Sequence, residues 1–403
     1  MPRPATDEIA RLRAWWLRRQ GLTPATAPTT IERCVQDAGW LPTFTGIYLS
    51  IRARMPGVSR EAIDRAAMDR VSLVEVPGAH GRPAVLVPRD EMALALRLHS
   101  ATFQKHLAPH FAKGDLSPAA LRGVEAQVCR VLDEGPLATA DIRAALRNPD
   151  AEELLVTALI NLSVRGIIQR FPVDGRLDSA KYMYELRHPD DRPDLDGEGD
   201  EETVVTKGVE SFLGRHGPAT VDEIMWWGNL TKGAVRTSLG ALGAEPLVVP
   251  RWTTEAWMLP RDLPAWRSFT GSRDDRVALL PYRDPFVHMR RAPAVLCRKP
   301  TFPVLDGMLK RTRIGDVDNL NHHAILSGGD VVGVWEYDPE AETVVTRLWE
   351  ADAKVRPQVA DAAAETTRFI RSQLGDAKLS AVDPPDKRAS RLAFCRAKER
   401  GEG

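Results

Sequence analysis

Apolar residues recur at helical spacing through much of the chain, and short alternating runs follow them in a repeated order. In 124–134, VEAQVCRVLDE, the apolar positions predict a helix, which a Gly-Pro pair ends. A second helix, ADIRAAL, follows with Thr139 as its predicted cap, and AEELLVTALINLSVRG predicts a third. The runs IIQRF and KYMYELR around Asp174-Gly175 then predict a hairpin.

The same order returns further along the chain. VTKGVESFLGRHG, VDEIMWWG and TKGAVRTSLGALG predict three helices, the last two capped by Thr220 and Thr231. PLVVPR and AWMLP predict the hairpin that follows. Three helices followed by a hairpin are typical of a winged helix, so the phrases GPLATADI and GPATVDEI mark the same turn in two copies.

A more diverged copy precedes these two. Residues 29–39 predict one helix, FTGIYLSIRARM a second, and SREAIDRAAMDR a third with Ser59 as its cap. VSLVEVPG and RPAVLVP predict its hairpin, and an amphipathic helix over 7–20 lies ahead of it.

The C-terminal part has a different pattern. DRVALLPY, AILSGGDVVGVWEYD and ETVVTRLWE alternate, which predicts a small antiparallel sheet or barrel, and a helix follows from about 355 to 374. The sequence thus predicts an α+β chain of three tandem winged-helix domains followed by a small antiparallel β-barrel-like domain. The predicted domains are 1–115 (N-terminal helix and first winged helix), 116–190 (second), 191–202 (acidic linker), 203–265 (third) and 266–403 (β-rich, with a terminal helix).

Composition changes this picture little. Lys+Arg and Asp+Glu are both 55, so any surface for a polyanion must come from local clustering. No apolar run approaches 18 residues, and the N-terminus lacks the pattern of a signal peptide, so we expect a cytoplasmic protein with no membrane contact. The widely spaced cysteines predict free thiols: Cys34, Cys129, Cys297 and Cys395.

Local clusters of basic residues give the candidate DNA contacts. In the last copy the third helix carries Lys232 and Arg236, and its wing carries Arg251. The alternative for this helix is a solvated surface without a partner. The candidates in the first copy are Arg52, Arg54 and Arg82, although two arginines two positions apart in a helix point to different faces.

Other chemistries have little support. The chain lacks GxxxxGK[ST] and GxSxG, and the pair His106 and His110 has no neighbouring carboxylate, so we expect neither a metal nor a cofactor. The pairs Trp15-Trp16 and Trp226-Trp227 are predicted to pack in the core and between domains, with a stacking platform for a displaced base as the alternative.

Three segments carry a family resemblance. They are TIERCVQDAGWLPTFTGIYLSIRARMPGVSREAID (30–64), ALLPYRDPFVHMRRAPAVL (278–296) and AILSGGDVVGVWEYDPEAETVVTRLWE (324–350). In order and spacing the chain resembles the winged-helix DNA glycosylases of the AlkZ/YcaQ type, a bacterial group, over about 10 to 350. The resemblance implies three winged helices curved around DNA and closed by a small β-barrel.

The resemblance also implies a glycosylase motif, Gln-x-Gln or Gln-x-Asp, which positions a water for hydrolysis of the bond to an alkylated purine. If Gln36 is the first motif residue, the second is Ala38; if the register follows IYLSIRAR backward, the motif falls at Leu41-Pro42-Thr43. Gln36 and Asp37 are the candidate catalytic residues, although neighbours in a helix point about 100° apart.

Two functional hypotheses follow. The first is a monomeric protein that binds double-stranded DNA, including alkylated DNA, and resembles glycosylases that excise alkylated bases, with an altered motif. The alternative is a non-catalytic protein-docking or regulatory winged-helix scaffold without DNA binding. The acidic segment 188–202 and the zero net charge favour the alternative.

Overall fold

The computed structural model describes most of the chain. The described residues are 5–43, 46–78, 84–114, 116–146, 149–179, 181–248, 255–271, 276–350, 353–375 and 385–397. They form a mixed α and β protein, as the sequence predicts. Contacts divide the chain into two compact units, the first made of Met1–Ile63 and Val209–Gly403 and the second of Asp64–Gly208.

Helices account for most of the regular structure. In the described residues the α-helices are α1 (Ala5–Arg19), α2 (Ile31–Ala38), α3 (Ile47–Arg54), α4 (Arg60–Met68), α5 (Met92–Lys113), α6 (Pro118–Leu132), α7 (Thr139–Ala145), α8 (Pro149–Val164), α9 (Glu201–His216), α10 (Val221–Gly228), α11 (Lys232–Ala241), α12 (Leu263–Ser268), α13 (Pro285–His288), α14 (Val355–Phe369) and α15 (Pro385–Arg396). A π-helical turn, Ile370–Leu374, extends α14.

The strands are short, and most of them pair antiparallel with a neighbouring strand. They are β1 (Leu41–Pro42), β2 (Leu73–Val76), β3 (Val85–Pro88), β4 (Leu137–Ala138), β5 (Ile168–Pro172), β6 (Tyr182–Leu186), β7 (Ala219–Thr220), β8 (Glu245–Leu247), β9 (Ala256–Met258), β10 (Val277–Leu280), β11 (Pro303–Leu305), β12 (Arg311–Arg313), β13 (His323–Ser327), β14 (Asp330–Asp338) and β15 (Thr343–Leu348).

One order of elements occurs three times: helix, short strand, two helices, then two strands. It runs from α2 to β3, from α6 to β6 and from α9 to β9. In all three occurrences the sheet has the same strand order, namely β1-β3-β2, β4-β6-β5 and β7-β9-β8. The predicted hairpins β2–β3, β5–β6 and β8–β9 are confirmed as antiparallel pairs.

Caps explain where several of these helices begin. Thr220 and Glu223 form a capping box at α10, and the Thr231 hydroxyl accepts from the backbone N–H of Ala234, so both predicted threonine caps are confirmed. The predicted cap at Thr139 is wrong: α7 begins at that residue, and Ala138 precedes it without a side-chain cap.

The C-terminal sheet is open, which corrects the expectation of a barrel. Its strand order is β10-β13-β14-β15, so β10 and β15 remain edges within the described residues. Helix α14 contacts both edge strands, and the hydroxyl of Thr367 accepts from the edge N–H of Val344. In a closed barrel the two edge strands would pair with each other. Here helix α14 packs against both of them instead.

Each unit has its own apolar core. In the first unit Trp16, Phe286 and Val334 are fully buried in one cluster. In the second unit Val124, Leu155 and other apolar residues of α6 and α8 form a second cluster. Across the described stretches, no helix is both long and apolar enough to cross a membrane.

Candidate nucleic-acid interface

Helix α11 presents a basic face to solvent. Val235, Ser238 and Leu239 turn inward, whereas Lys232 and Arg236 are exposed one turn apart. Within the described part of the chain, neither basic side chain forms an ion pair or a hydrogen bond. Two adjacent cations without an acidic partner are suited to contacts with phosphates.

Sequence reasoning missed a second basic element, the hairpin β11–β12. The Asp306 carboxylate organises its turn by accepting from the backbone N–H groups of Met308, at 2.8 Å, and Lys310, at 2.9 Å. Met308 at the tip is 76% exposed, and Lys310 and Arg311 are exposed beside it. The signal in the sequence is Asp-Gly between short apolar runs, followed by KRTR.

The two candidate catalytic residues lie at the end of α2. Gln36 is exposed, and its backbone carbonyl accepts from the Nε of Arg215 at 2.6 Å. The Asp37 carboxylate is 14% exposed and pairs with Arg33, one turn earlier, at 2.8 Å. The Gln36 carboxamide is therefore open to solvent, whereas the Asp37 carboxylate is engaged within its own helix.

The alternative registers of the motif fall on buried side chains. Ala38, Leu41 and Thr43 are each 0% exposed. The chain turns between them through Gly39 and Trp40, both with positive φ, at 79° and 61°. In the described residues 38–43 no carboxamide or carboxylate faces outward, because none is present.

Aromatic packing fixes this turn. The Trp40 ring lies 5.4 Å from the Trp227 ring, and Phe212 joins Trp227 to His216 with spacings of 5.1 and 4.8 Å. His216 is buried against Gly39 and hydrogen bonds to Gln20 at 3.2 Å. Burial, together with nearby arginines, holds the pKa of His216 well below its ordinary value, so the ring stays neutral.

Arg54, a candidate DNA contact, instead forms a buried ion pair. Its guanidinium donates to both carboxylate oxygens of Asp284, at 2.7 and 3.0 Å, and to the carbonyls of Gln20 and Ser50 at 2.9 Å. Both charged side chains are 0% exposed. This contact joins two of the family-like segments, so Arg54 is positioned to hold the fold together.

Arg290 holds a second buried framework contact. It pairs with Glu223 at 3.3 Å, donates to the carbonyl of His216 at 2.7 Å, and lies over the Trp16 ring. Glu223 is the acidic member of the capping box of α10. The segment 278–296 is thereby tied to the start of that helix.

The remaining candidate DNA contacts have mixed positions. Arg52 is 14% exposed and pairs with Glu365 at 2.8 Å, with its guanidinium over the Phe369 ring. The candidates Arg82 and Arg251 lie outside the described residues. Among the predicted DNA contacts that lie in the described residues, Lys232 and Arg236 are therefore the exposed ones.

The other residues considered from sequence belong mainly to the packing. Trp15 and Trp16 are buried, as predicted, and their indole N–H groups donate to the carbonyls of Gly217 and Pro218. His106 and His110 contact each other in α5, 5.3 Å apart. The four cysteines are free thiols, as predicted.

Comparison with known proteins agrees with this framework. A family model described as "DNA glycosylase AlkZ-like" matches residues 38–370. The DNA glycosylase AlkZ of Streptomyces sahachiroi has a similar structure, with a TM-score of 0.66 at 19% sequence identity over 93% of this chain and 96% of that chain. A search of curated proteins found no match. Because the family model covers most of its length, the chain belongs to the AlkZ-like DNA glycosylase family.

Proposed function

We propose that this protein binds double-stranded DNA and that α11 supplies phosphate contacts. The observation that carries the proposal is the exposed pair Lys232 and Arg236, which lacks an acidic partner among the described residues of a DNA glycosylase-like chain. Binding through phosphates releases counterions, so the affinity falls steeply as salt rises.

The framework of the proposal is three winged-helix units. The element order that occurs three times supports it, as does the strand order that the three sheets share. In a winged helix the third helix contacts the DNA groove or backbone, and α11 has that position in the third occurrence.

The exposed face of α11 also contains two glycines. A methyl group at Gly240 meets nothing within 4 Å, and one at Gly233 meets only the Thr231 hydroxyl at 4.0 Å. Glycines cost helix stability but allow a ligand close to the backbone. Their presence beside Lys232 and Arg236 supports a face that a sugar-phosphate backbone approaches.

The hairpin β11–β12 is a second proposed contact. An exposed apolar side chain flanked by cations is suited to insertion between base steps, with the basic groups on adjacent phosphates. Met308 at the tip has this character, and Lys310 and Arg311 have the charges.

Fluorescence anisotropy with a duplex at several salt concentrations tests the α11 contact. Lys232→Ala/Arg236→Ala is expected to weaken binding about ten- to hundredfold and to reduce the slope of log affinity against log salt by about two. The matched control is Arg122→Ala/Arg130→Ala, which removes two charges from α6. Equal losses in both variants contradict the assignment to α11. Absence of wild-type binding at micromolar protein and low salt favours a docking scaffold.

Base excision is the second proposed function, favoured by family membership and by the exposed Gln36 carboxamide. An alkylated purine is a good leaving group, so orienting a water and stabilising the sugar cation supply much of the chemistry. The test is release of 7-methylguanine from a modified duplex, with Gln36→Ala/Asp37→Ala expected to abolish it. Release that persists in this variant excludes both residues. Absence of release from a wild-type protein that binds DNA leaves binding as the function.

A further inference from the structure

The second unit contains a solvent-open pocket whose polar lining is mainly cationic. It lies against β2, β3 and β5 and the residue that follows β6. The polar and aromatic side chains that line it are Arg70, Glu75, Gln169, Arg170, Phe171 and Arg187. Three arginines and one glutamate thus line the pocket.

Two of these arginines have acidic partners, and one does not. Arg170 pairs with Glu75 at 2.5 Å, and Arg70 pairs with Glu185. Arg187 is only 5% exposed, and its guanidinium has no hydrogen bond or ion pair with any residue that the structure describes. A buried charge without a partner is costly, so the unpaired guanidinium points to a ligand that supplies the missing acceptor.

The surroundings of Arg187 reinforce its positive potential. Burial, followed by the charges of Arg89 and Arg70, lowers the pKa of Arg187 to about 10, so the guanidinium remains charged at neutral pH. The nearby acids are already engaged, since Asp191 pairs with Arg89 at 3.2 Å and Glu185 with Arg70. The net charge at the pocket is therefore positive after the ion pairs are counted.

The chemistry of a guanidinium indicates the class of ligand. Its planar N–H groups match the oxygens of a phosphate or carboxylate, and bonds between charged partners are the strong ones. A tetrahedral oxyanion also accepts from several directions, which suits a site with further arginines at its side. We propose that this pocket binds a phosphate group, with Arg187 as the principal donor and Arg70 as a neighbouring arginine of the lining.

Calorimetric titration of the full-length chain with sodium phosphate at constant ionic strength tests the proposal. Wild type is expected to bind one phosphate, Arg187→Met to bind it at least about tenfold more weakly, and Arg122→Met to stay within about twofold. Arg122 is an exposed arginine on α6 in the same unit and serves as the control.

A melting curve in phosphate-free buffer shows whether the variant is folded. Arg187→Met removes an unpaired buried charge, so its melting temperature should equal or exceed that of wild type. If the variant does not fold, Arg187→Lys keeps the charge without the planar fork, and weaker phosphate binding is expected from it.

Anisotropy with duplex DNA distinguishes a free phosphate from a phosphate of the DNA backbone. If the pocket takes a backbone phosphate, Arg187→Met reduces the salt slope by about one, and free phosphate competes with the duplex. If it takes free phosphate, the slope is unchanged while the phosphate titration still depends on Arg187.

The proposal does not rest on DNA binding by α11. If Lys232→Ala/Arg236→Ala loses duplex binding but still binds phosphate like wild type, phosphate binding in the pocket is independent of DNA binding by α11. If Arg187→Met changes neither the phosphate titration nor the salt slope, the pocket proposal is overturned.

Discussion

Replacing Asp284 with asparagine tests whether the buried ion pair with Arg54 holds the first unit together. Both partners are fully buried, and the two nitrogen–oxygen distances are 2.7 and 3.0 Å. The asparagine side chain keeps nearly the same shape, and its oxygen can still accept from the backbone N–H of Phe286, which Asp284 caps at 3.0 Å. With the cap kept, the amide N–H₂ faces Arg54 Nη1, so the substitution removes the negative charge together with the 2.7 Å hydrogen bond.

The expected cost is large because Arg54 is left charged and uncompensated. Removing one partner of a buried pair costs about 3–5 kcal/mol of unfolding free energy. For a unit of this size that loss lowers the melting temperature by about 6–20 °C. The matched control is Arg33→Met, which breaks the ion pair between Arg33 and Asp37 within α2. Because Arg33 is 61% exposed, this change should lower the unfolding free energy by less than about 0.5 kcal/mol.

Urea unfolding followed by tryptophan fluorescence measures both variants. Arg54→Met should also destabilise the protein by several kcal/mol, whereas Arg54→Met/Asp284→Asn should lose at least about 2 kcal/mol less than the sum of the single changes. A folded Asp284→Asn protein that loses less than about 1 kcal/mol, or a double variant whose losses simply add, refutes the account of the pair.

Two further predictions concern backbone space and protonation. Gly39→Ala should destabilise the protein by more than about 2 kcal/mol in urea titrations, because φ is 79° and the added methyl would lie 2.6 Å from a His216 nitrogen. Gly240→Ala should instead stabilise it by about 0.5–1 kcal/mol, and a loss there contradicts the open space observed at that position. Burial lowers the pKa of His322 from 6.5 to about 3, and its ring accepts from the backbone N–H of Leu305. As the pH falls from 6.5 towards 3, the unfolded chain therefore takes up the proton first. Over that range the unfolding free energy should fall by up to about 1.4 kcal/mol for each unit by which the pH is lowered. His322→Gln should flatten that segment of a plot of urea midpoint against pH, and an unchanged slope counts against the assignment.

Local signals explain which parts of the fold could be predicted from the sequence. The caps at Thr220 and Thr231 and the three hairpins depend on residues a few positions apart, so the sequence contains them. From the sequence, no element is predicted over α5, which contains Pro109, a residue that normally breaks a helix. That proline lies near the end of a helix of 22 residues, where tertiary packing outweighs its local cost.

The candidate site was harder to predict because its decisive contacts are distant in sequence. Arg54 and Asp284 are 230 positions apart, and nothing near either residue indicates that they pair. In the sequence, Arg54 and Lys232 are both basic residues of predicted helices, so local charge predicts a DNA contact for each of them. Burial separates them, since Arg54 is 0% exposed and Lys232 lies on the surface.

The residues behind the family resemblance have a common structural role. Arg54 and Asp284 join the first and second family-like segments, and Arg290 ties the second segment to Glu223. These ion pairs hold the fold together. The alternative positions of the glycosylase motif, in contrast, are occupied by buried apolar or hydroxyl side chains. A buried ion pair tolerates few substitutions because either partner alone is costly. Selection for the fold can therefore preserve these segments whether or not base excision is retained, so membership of the family and catalysis must be tested by separate measurements.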